Sequence, residues 1–314
     1  MKLYFAPLEG IGGYIYRNAQ ADCFSRGDKY FSPFLAPKLK RSLSPKEYRD
    51  IAPENNGNIY LVPQIMANDA EVFIKAAKEL KRLGYEEVNL NLGCPSPTVV
   101  TKYRGAGFLA KPEELQRFLE KIFEKPDMKI SVKTRLGMED EQEFPRILEI
   151  YNCFPLEELI IHPRVQKDYY KNTPRREMFS FALKKAKFPL VYNGDVFSKE
   201  DYEKIQKLFG NVDVMLGRGV LTNPALFGEI REGKALTKEG LYEFHNRILS
   251  DYTEVMFGEK NVLFKMKELW FYMAGMFPGS EKYIKKIRKA QHLGEYRAYV
   301  ESLFTWGNFK NCKE

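Results

Sequence analysis

An α/β protein, a (β/α)8 TIM barrel followed by a small C-terminal helical domain, is the fold this sequence predicts. Three observations carry the prediction. Short β-branched and aromatic runs alternate strictly with longer amphipathic ones. Nearly every short run ends in a polar or glycine-rich cluster. After Gly233 the alternation stops and only helical periodicity continues.

Taken in order, strands are expected at 3–6, 30–35, 59–65, 87–92, 129–133, 159–162, 190–193 and 212–216. Helices are expected at 14–25, 45–52, 70–83, 113–123, 141–151, 176–186, 199–208 and 224–230. Asn68-Asp69, Lys111-Pro112 and Ser198 are start signals for three of them, and Gly84 and Gly210 are stop signals for two. Pro33 lies inside the second strand, which weakens it. A doubly wound sheet shows the same alternation, so the strand ends decide. The first strand ends in Pro7-Leu8-Glu9-Gly10, the third in Gln64, and the fourth in Asn91 and Cys94. The fifth offers Lys133 and Arg135, the sixth His162 and Arg164, the seventh Asn193-Gly194-Asp195, and the eighth Gly217-Arg218-Gly219. An open sheet needs such ends only at its switch point, whereas a closed barrel gathers all of them at one mouth. Residues 1–233 are read as the barrel domain. Residues 237–314, broken at Gly258, Pro278-Gly279 and Gly294, are read as three or four helices.

Composition bounds the function. The 314 residues are 44% hydrophobic and 29% charged, as in ordinary globular chains. Cys23, Cys94, Cys153 and Cys312 are far apart, with no CxxC pair and no His cluster, so no metal site is expected. The N-terminus lacks a signal-peptide apolar run, and the apolar stretch 269–277 is too short to span a bilayer. A soluble, reduced, cytoplasmic protein is expected, and a monomer. The net charge of +8 suits a polyanionic partner without requiring one. Lys282, Lys285, Lys286, Arg288 and Lys289 lie within eight residues on one late helical stretch. That run suits either a solvated face or a contact with an RNA backbone.

The chemistry centres on 88–110. A buried strand breaks at Gly93, presents Cys94 before Pro95, and runs through Lys102 and Arg104 to Gly105 and Gly107. Alone, Cys94 reads equally as a small buried hydrophobe. The seventh and eighth strand ends, Asn193-Gly194-Asp195 and Gly217-Arg218-Gly219, occupy a barrel's usual phosphate position. Lys133, at the end of a buried strand, needs an anionic partner. A reduced flavin supplies one, and Gln64 and His162 are suited to its polar edge. A Lys133 Schiff base, as in an aldolase-like enzyme, is the rival reading.

The motifs together resemble a family. APLEG at 6–10, PQI at 63–65, NLNLGCP at 89–95 and GAGFL at 105–109 are followed by VKTRLG at 132–137, IHPR at 161–164, YNGD at 192–195 and MLGRG at 215–219. In this order they are similar to the tRNA-dihydrouridine synthases, flavoenzymes that reduce uridines in tRNA. The resemblance implies FMN at the barrel mouth, recharged by NADPH. Its implied contacts are Pro7, Leu8, Glu9, Gln64, Lys133, His162, Asn193, Gly194, Asp195, Gly217 and Arg218. It also implies that Cys94 is the general acid that protonates C5 after hydride reaches C6. A thiol of pKa about 8.5 is mostly protonated at neutral pH and labile enough for that. Asn91 is the implied uracil contact, with Arg135 and Arg164 serving the base or nearby phosphates. Lys102, Arg104, Lys285, Lys286 and Arg288 are the expected tRNA contacts, with the uridine turned out of its stack. Gly12-Gly13 stands where the family commonly has Thr-Asp, and Pro163 stands where it commonly has glycine. Two rival functions are an FMN-dependent oxidoreductase of free pyrimidines, like dihydroorotate dehydrogenase, and an inactive tRNA-binding relative.

Overall fold

The strands run parallel around a ring that closes on a single interrupted segment. The computed structural model describes residues 1–41 and 43–310; Cys312 lies outside them. The chain runs β1 (Leu3–Phe5), α1 (Tyr14–Cys23), β2 (Lys29–Phe31), α2 (Pro45–Ile51), β3 (Leu61–Val62), β4 (Gln64–Ile65), α3 (Ala70–Arg82) and β5 (Glu87–Leu92). It continues α4 (Pro97–Val100), α5 (Pro112–Phe123), β6 (Lys129–Thr134), α6 (Phe144–Tyr151), β7 (Leu159–Ile161), α7 (Arg176–Lys185), β8 (Leu190–Tyr192), α8 (Lys199–Phe209), β9 (Asp213–Leu216), α9 (Arg218–Thr222) and α10 (Leu226–Glu232). The strand order is β3-β2-β1-β9-β8-β7-β6-β5-β4.

β3 and β4 stand at opposite ends of that order yet are separated only by Pro63. Leu61 pairs with Tyr30 on one side, and Gln64 pairs with Asn89 on the other. Counted once, this broken segment makes the sheet an eight-stranded closed barrel, the architecture the alternation predicted. The second strand is shorter than expected. It ends at Phe31, and Leu35 contributes only an isolated bridge to Ile65. Pro33 cannot donate to a ladder, and Ser32 Oγ instead accepts a hydrogen bond from Gln64 N at 3.0 Å.

Strand alternation assigns the two faces. On β5, Val88, Leu90 and Leu92 are fully buried apolar positions, while Glu87, Asn89 and Asn91 share the other face. The six-residue register of β5 with β6 sets Asn89 beside Ser131 and Asn91 beside Lys133. A layer of Tyr4, Ala6, Phe31, Val62, Ile160, Val191 and Met215 forms a continuous buried cluster. Outside the sheet, the rings of Phe73 and Phe108 each meet Phe118 of α5 edge-on, at 5.9 and 5.4 Å.

Two compact units divide the chain. Residues 1–7, 28–194 and 205–215 make the first; 8–27, 195–204 and 216 onward make the second. The second contains α11 (Lys238–Val255), α12 (Glu259–Met273), α13 (Glu281–Lys289) and α14 (Leu293–Trp306), four helices where three or four were expected. Within it, Tyr16 of α1 meets Phe244 of α11 edge-on at 5.4 Å. Tyr296 Oη accepts from Trp270 Nε1 at 2.7 Å and lies 2.7 Å from His245 Nε2. Burial pushes the His245 pKa down to about 4, so its ring is neutral and Nε2 accepts a hydrogen bond from the tyrosine hydroxyl. No described helix is long and apolar enough to cross a membrane.

Candidate active site

The first unit builds its polar centre from the ends of β4, β5 and β6. Cys94 follows β5 and is partly exposed. Its backbone is held at both poles: Cys94 N donates to Asn91 Oδ1 at 2.9 Å, and its carbonyl accepts from Ala106 N at 3.1 Å. Gly93 N also donates to Asn91 Oδ1, at 3.1 Å. Gly105 sits at φ +54, where a Cβ would lie 2.8 Å from the Cys94 carbonyl oxygen. The GAG segment therefore presses against the thiol loop, and glycine is needed both for conformation and for space.

Asn91 Nδ2 donates to Gln64 Oε1 at 2.6 Å, and Gln64 Nε2 donates to Asn89 Oδ1 at 2.7 Å. Two of the sequence-predicted residues, Gln64 and Asn91, thus meet directly, and Asn91 carries the thiol turn. Lys133 is opposite Asn91 in the ladder. Burial pushes its pKa down to about 7, Arg135 pushes the same way, and Cys94 is near enough to act against them. A lysine so placed gains most from an anionic neighbour.

The two arginines expected at the substrate each donate to acceptors within the protein. Arg135 is 1% exposed and donates from Nε to Gly93 O at 3.0 Å, from Nη1 to Val165 O at 2.9 Å and from Nη2 to Tyr169 O at 2.8 Å. It clamps the thiol loop to the loop after β7. Arg164, also 1% exposed, donates to Asn172 O and from Nη1 to His162 Nε2 at 2.9 Å. A guanidinium only donates, so His162 accepts at Nε2 and carries its proton on Nδ1. The His162 and Tyr170 rings lie 5.8 Å apart, and Arg135 sits 5.4 Å over the Tyr170 ring.

Gln166 Nε2 donates to Pro95 O at 2.9 Å and adds a second tie to the thiol loop. Tyr169, at φ +50, is held in an uncommon backbone conformation beside this clamp. Tyr170, Gln166, Asn89 and Ser131 are all central here, and sequence reasoning missed them. Only Asn89 left a signal, the polar–apolar alternation EVNLNL.

Of the remaining predicted residues in this unit, Asn193 Nδ2 donates to Met215 O at 2.8 Å. At Gly194 a Cβ would lie 3.1 Å from Tyr192 Oη, so a close approach explains that glycine. Pro7 is partly exposed at the end of β1. Arg104 Nε donates to Asn68 Oδ1 at 3.2 Å, and Asn68 Nδ2 donates to Lys102 O at 3.1 Å. In the second unit, Leu8 O accepts from Gly12 N at 2.8 Å, and a Cβ on Gly12 would lie 3.0 Å from that oxygen. The tight turn accounts for glycine at 12, and Glu9 in it is exposed. Arg218, just after Gly217, donates to Asp195 Oδ1 at 2.7 Å. On α13, Ile284 and Ile287 are buried while Lys282, Lys285, Lys286, Arg288 and Lys289 are exposed. Arg288 Nη2 also donates to Trp270 O at 2.9 Å.

No group of three or more His, Cys, Asp and Glu side chains among the described residues is arranged to hold a metal. The first unit's cluster instead offers amide and imidazole N–H groups, one ammonium short of an anion, and one thiol. Such a set fits a planar, acceptor-rich ligand that carries negative charge.

Comparison with known proteins follows the same direction. The family model for dihydrouridine synthase matches residues 5–305. A tRNA-dihydrouridine(16) synthase of Cupriavidus necator is 29% identical over 244 residues, 73% of this chain and 73% of that one. Its namesake in Neisseria meningitidis serogroup B is 33% identical over 54% of this chain and 51% of its own length. A probable tRNA-dihydrouridine synthase of Staphylococcus aureus is 24% identical over 94% of this chain and 91% of its own. Among solved structures, histamine dehydrogenase from Rhizobium aligns with TM-score 0.54 at 13% identity, covering 74% of this chain and 46% of that one. The old yellow enzyme from Trypanosoma cruzi aligns with TM-score 0.53 at 9% identity, covering 81% and 94%. At such identities the structural likeness bears on the fold alone.

Proposed function

The chain belongs to the dihydrouridine synthase family, and on that footing we propose that it reduces the C5–C6 double bond of specific uridines in tRNA, using FMN recharged by NADPH. The observation that carries this reading is the meeting of Cys94, Asn91, Gln64 and Lys133 on the adjacent ends of β4, β5 and β6. Reduced FMN, when bound, supplies the hydride equivalent delivered to C6 of uracil. Lys133 offers the positive charge that an anionic isoalloxazine needs, and Gln64 offers an amide N–H to its polar edge. His162, neutral with its proton on Nδ1, adds a donor. Cys94 gives its proton to C5 of uracil, and the thiolate that remains lies where Lys133 acts on it. Asn91 holds the thiol turn and reaches the uracil edge.

Arg135 and Arg164 serve the reaction by fixing the loops that carry Cys94 and His162, with their guanidinium groups committed to carbonyl and imidazole acceptors. In the first unit Pro7, Asn193 and Gly194 are assigned to FMN; separately, in the second unit Leu8, Glu9, Asp195, Gly217 and Arg218 are assigned as cofactor contacts. Residues 1–233 are assigned to the catalytic domain and 237–314 to the tRNA-binding domain. Lys102 and Arg104, and separately Lys285, Lys286 and Arg288, are assigned to the tRNA backbone. The protein is taken to act as a cytoplasmic monomer.

The test is direct. tRNA from cells lacking the gene, treated with the purified protein, FMN and NADPH, is mapped for dihydrouridine. Restoration at defined positions is the expected result. Full dihydrouridine in the deletion strain, together with no gain on treatment, refutes the proposal.

A further inference from the structure

A single line of hydrogen bonds crosses the first unit from the thiol turn to Glu87 at the start of β5, and every donor between those two ends points toward the carboxylate. Lys29 Nζ lies 2.7 Å from Glu87 Oε2 and 3.1 Å from Glu158 Oε1. Ser131 Oγ donates to Glu87 Oε1 at 2.8 Å, and Asn89 Nδ2 donates to Ser131 Oγ at 2.9 Å. Gln64 Nε2 then donates to Asn89 Oδ1, Asn91 Nδ2 to Gln64 Oε1, and the Gly93 and Cys94 backbone N–H groups to Asn91 Oδ1. Glu87, Asn89, Gln64 and Ser131 are at most 2% exposed, and Asn91 is 6% exposed.

The direction is not arbitrary, because both ends are chemically unambiguous. A carboxylate paired with lysine only accepts, so the Ser131 hydroxyl donates to it and must accept from Asn89. That turns the Asn89 oxygen to Gln64, the Gln64 oxygen to Asn91, and the Asn91 oxygen to the thiol turn. At the far end, backbone N–H groups only donate, and they demand the same orientation. Each amide in the line is therefore fixed without reference to any ligand. The second N–H of Gln64 Nε2 and that of Asn91 Nδ2 have no partner among the described residues.

We propose that Glu87, Ser131 and Asn89 are positioning residues, which lock from the opposite end of the strands the orientation that the thiol-turn N–H groups also require of the Gln64 and Asn91 amides as they meet their ligands. Both residues then offer an N–H and so favour carbonyl oxygens, as found on isoalloxazine and uracil. The inference deepens the proposed function and rests on it for those ligands. The relay itself belongs to this chain whatever binds.

The test compares wild type with Ser131→Ala, Ser131→Thr and Glu87→Gln. Two readouts are taken: site-resolved alkylation of the Cys94 thiol in the flavin-free protein, and kcat and KM for tRNA in the FMN-loaded protein. Ser131→Ala removes the link between the carboxylate and Asn89. The expected result is Cys94 alkylation changed by about threefold or more and kcat lowered by roughly tenfold, with KM for tRNA within about twofold. Ser131→Thr keeps the hydroxyl and is expected to restore both. Glu87→Gln keeps the shape at the carboxylate and is expected to shift both readouts in the same direction as Ser131→Ala, which holds the test open if that variant does not fold. A Ser131→Thr protein as defective as Ser131→Ala, or wild-type values in Glu87→Gln, overturns the proposal. A wild-type protein that leaves tRNA uridine unreduced defeats the functional reading instead, and the alkylation comparison still decides the relay.

Discussion

Replacing Lys133 by Met tests the electrostatic core of the proposed site. Burial, with Arg135 beside it, holds the Lys133 pKa at about 7, so the ammonium is fully present only below that pH. An anionic reduced flavin against it gains a charge-assisted contact of about 1.5–3 kcal/mol. For a two-electron couple about 30 mV corresponds to 1.4 kcal/mol, so the bound flavin in Lys133→Met should have a midpoint potential roughly 30–60 mV more negative at pH 6. The sign of the pH dependence follows from the depressed pKa. Above pH 7, Lys133 beside oxidised flavin is mostly neutral, and reduction must bring in a proton. The gap between the two proteins should therefore narrow by about 30 mV per pH unit and close near pH 8–9. Dye-equilibrated spectrophotometric titration of both proteins from pH 6 to 9 measures it. Potentials that agree within about 10 mV at pH 6, or a gap that widens with pH, refute the pairing.

Four further outcomes are expected. Cys94→Ala should keep its flavin and lose about a hundredfold or more in uridine reduction under single turnover, the scale of a lost general acid; unchanged turnover removes that role. Lys285→Glu with Lys286→Glu should weaken tRNA binding and reduce the slope of log K against log salt by roughly 1.5. An unaltered slope places the RNA elsewhere. Gly105→Ala should lower stability by about 1–3 kcal/mol in urea melts and impair turnover, since its φ of +54 resists a side chain and the new methyl carbon would lie only 2.8 Å from the Cys94 carbonyl oxygen. His245, 1% exposed with its pKa lowered to about 4, favours the folded state fully above pH 6.5. Stability should therefore fall by about 3 kcal/mol as pH drops from 6.5 to 4, and His245→Gln should lose that portion of the profile.

Much of the barrel could be read from alternation, because each strand places its own chemistry at its tip. The β5 and β6 boundaries were legible to within a residue, and Gln64, Asn91, Cys94 and Lys133 were all placed at strand ends. Other features depend on partners distant in the chain. Arg135 and Arg164 look from sequence like anion ligands, and only the fold reveals the carbonyls of Gly93, Val165, Tyr169 and Asn172 around them. Pro33 announced trouble in the second strand, but not that Ser32 would replace the ladder with a side-chain acceptor. Asn89 showed itself as a polar residue in a strand. Its meaning needed Ser131 and Glu87, and Glu87 needed Lys29, fifty-eight positions away.

Holding the Cys94 backbone at both its N–H and its carbonyl fixes the place from which the thiol acts and leaves Sγ only the rotation about its own Cα–Cβ bond. A loop tied down at Gly93, Cys94 and Pro95 resists retargeting by reshaping the centre. Any retuning toward a differently placed nucleotide must come from surfaces that steer the polymer, while the centre stays indifferent to which message it was delivered from.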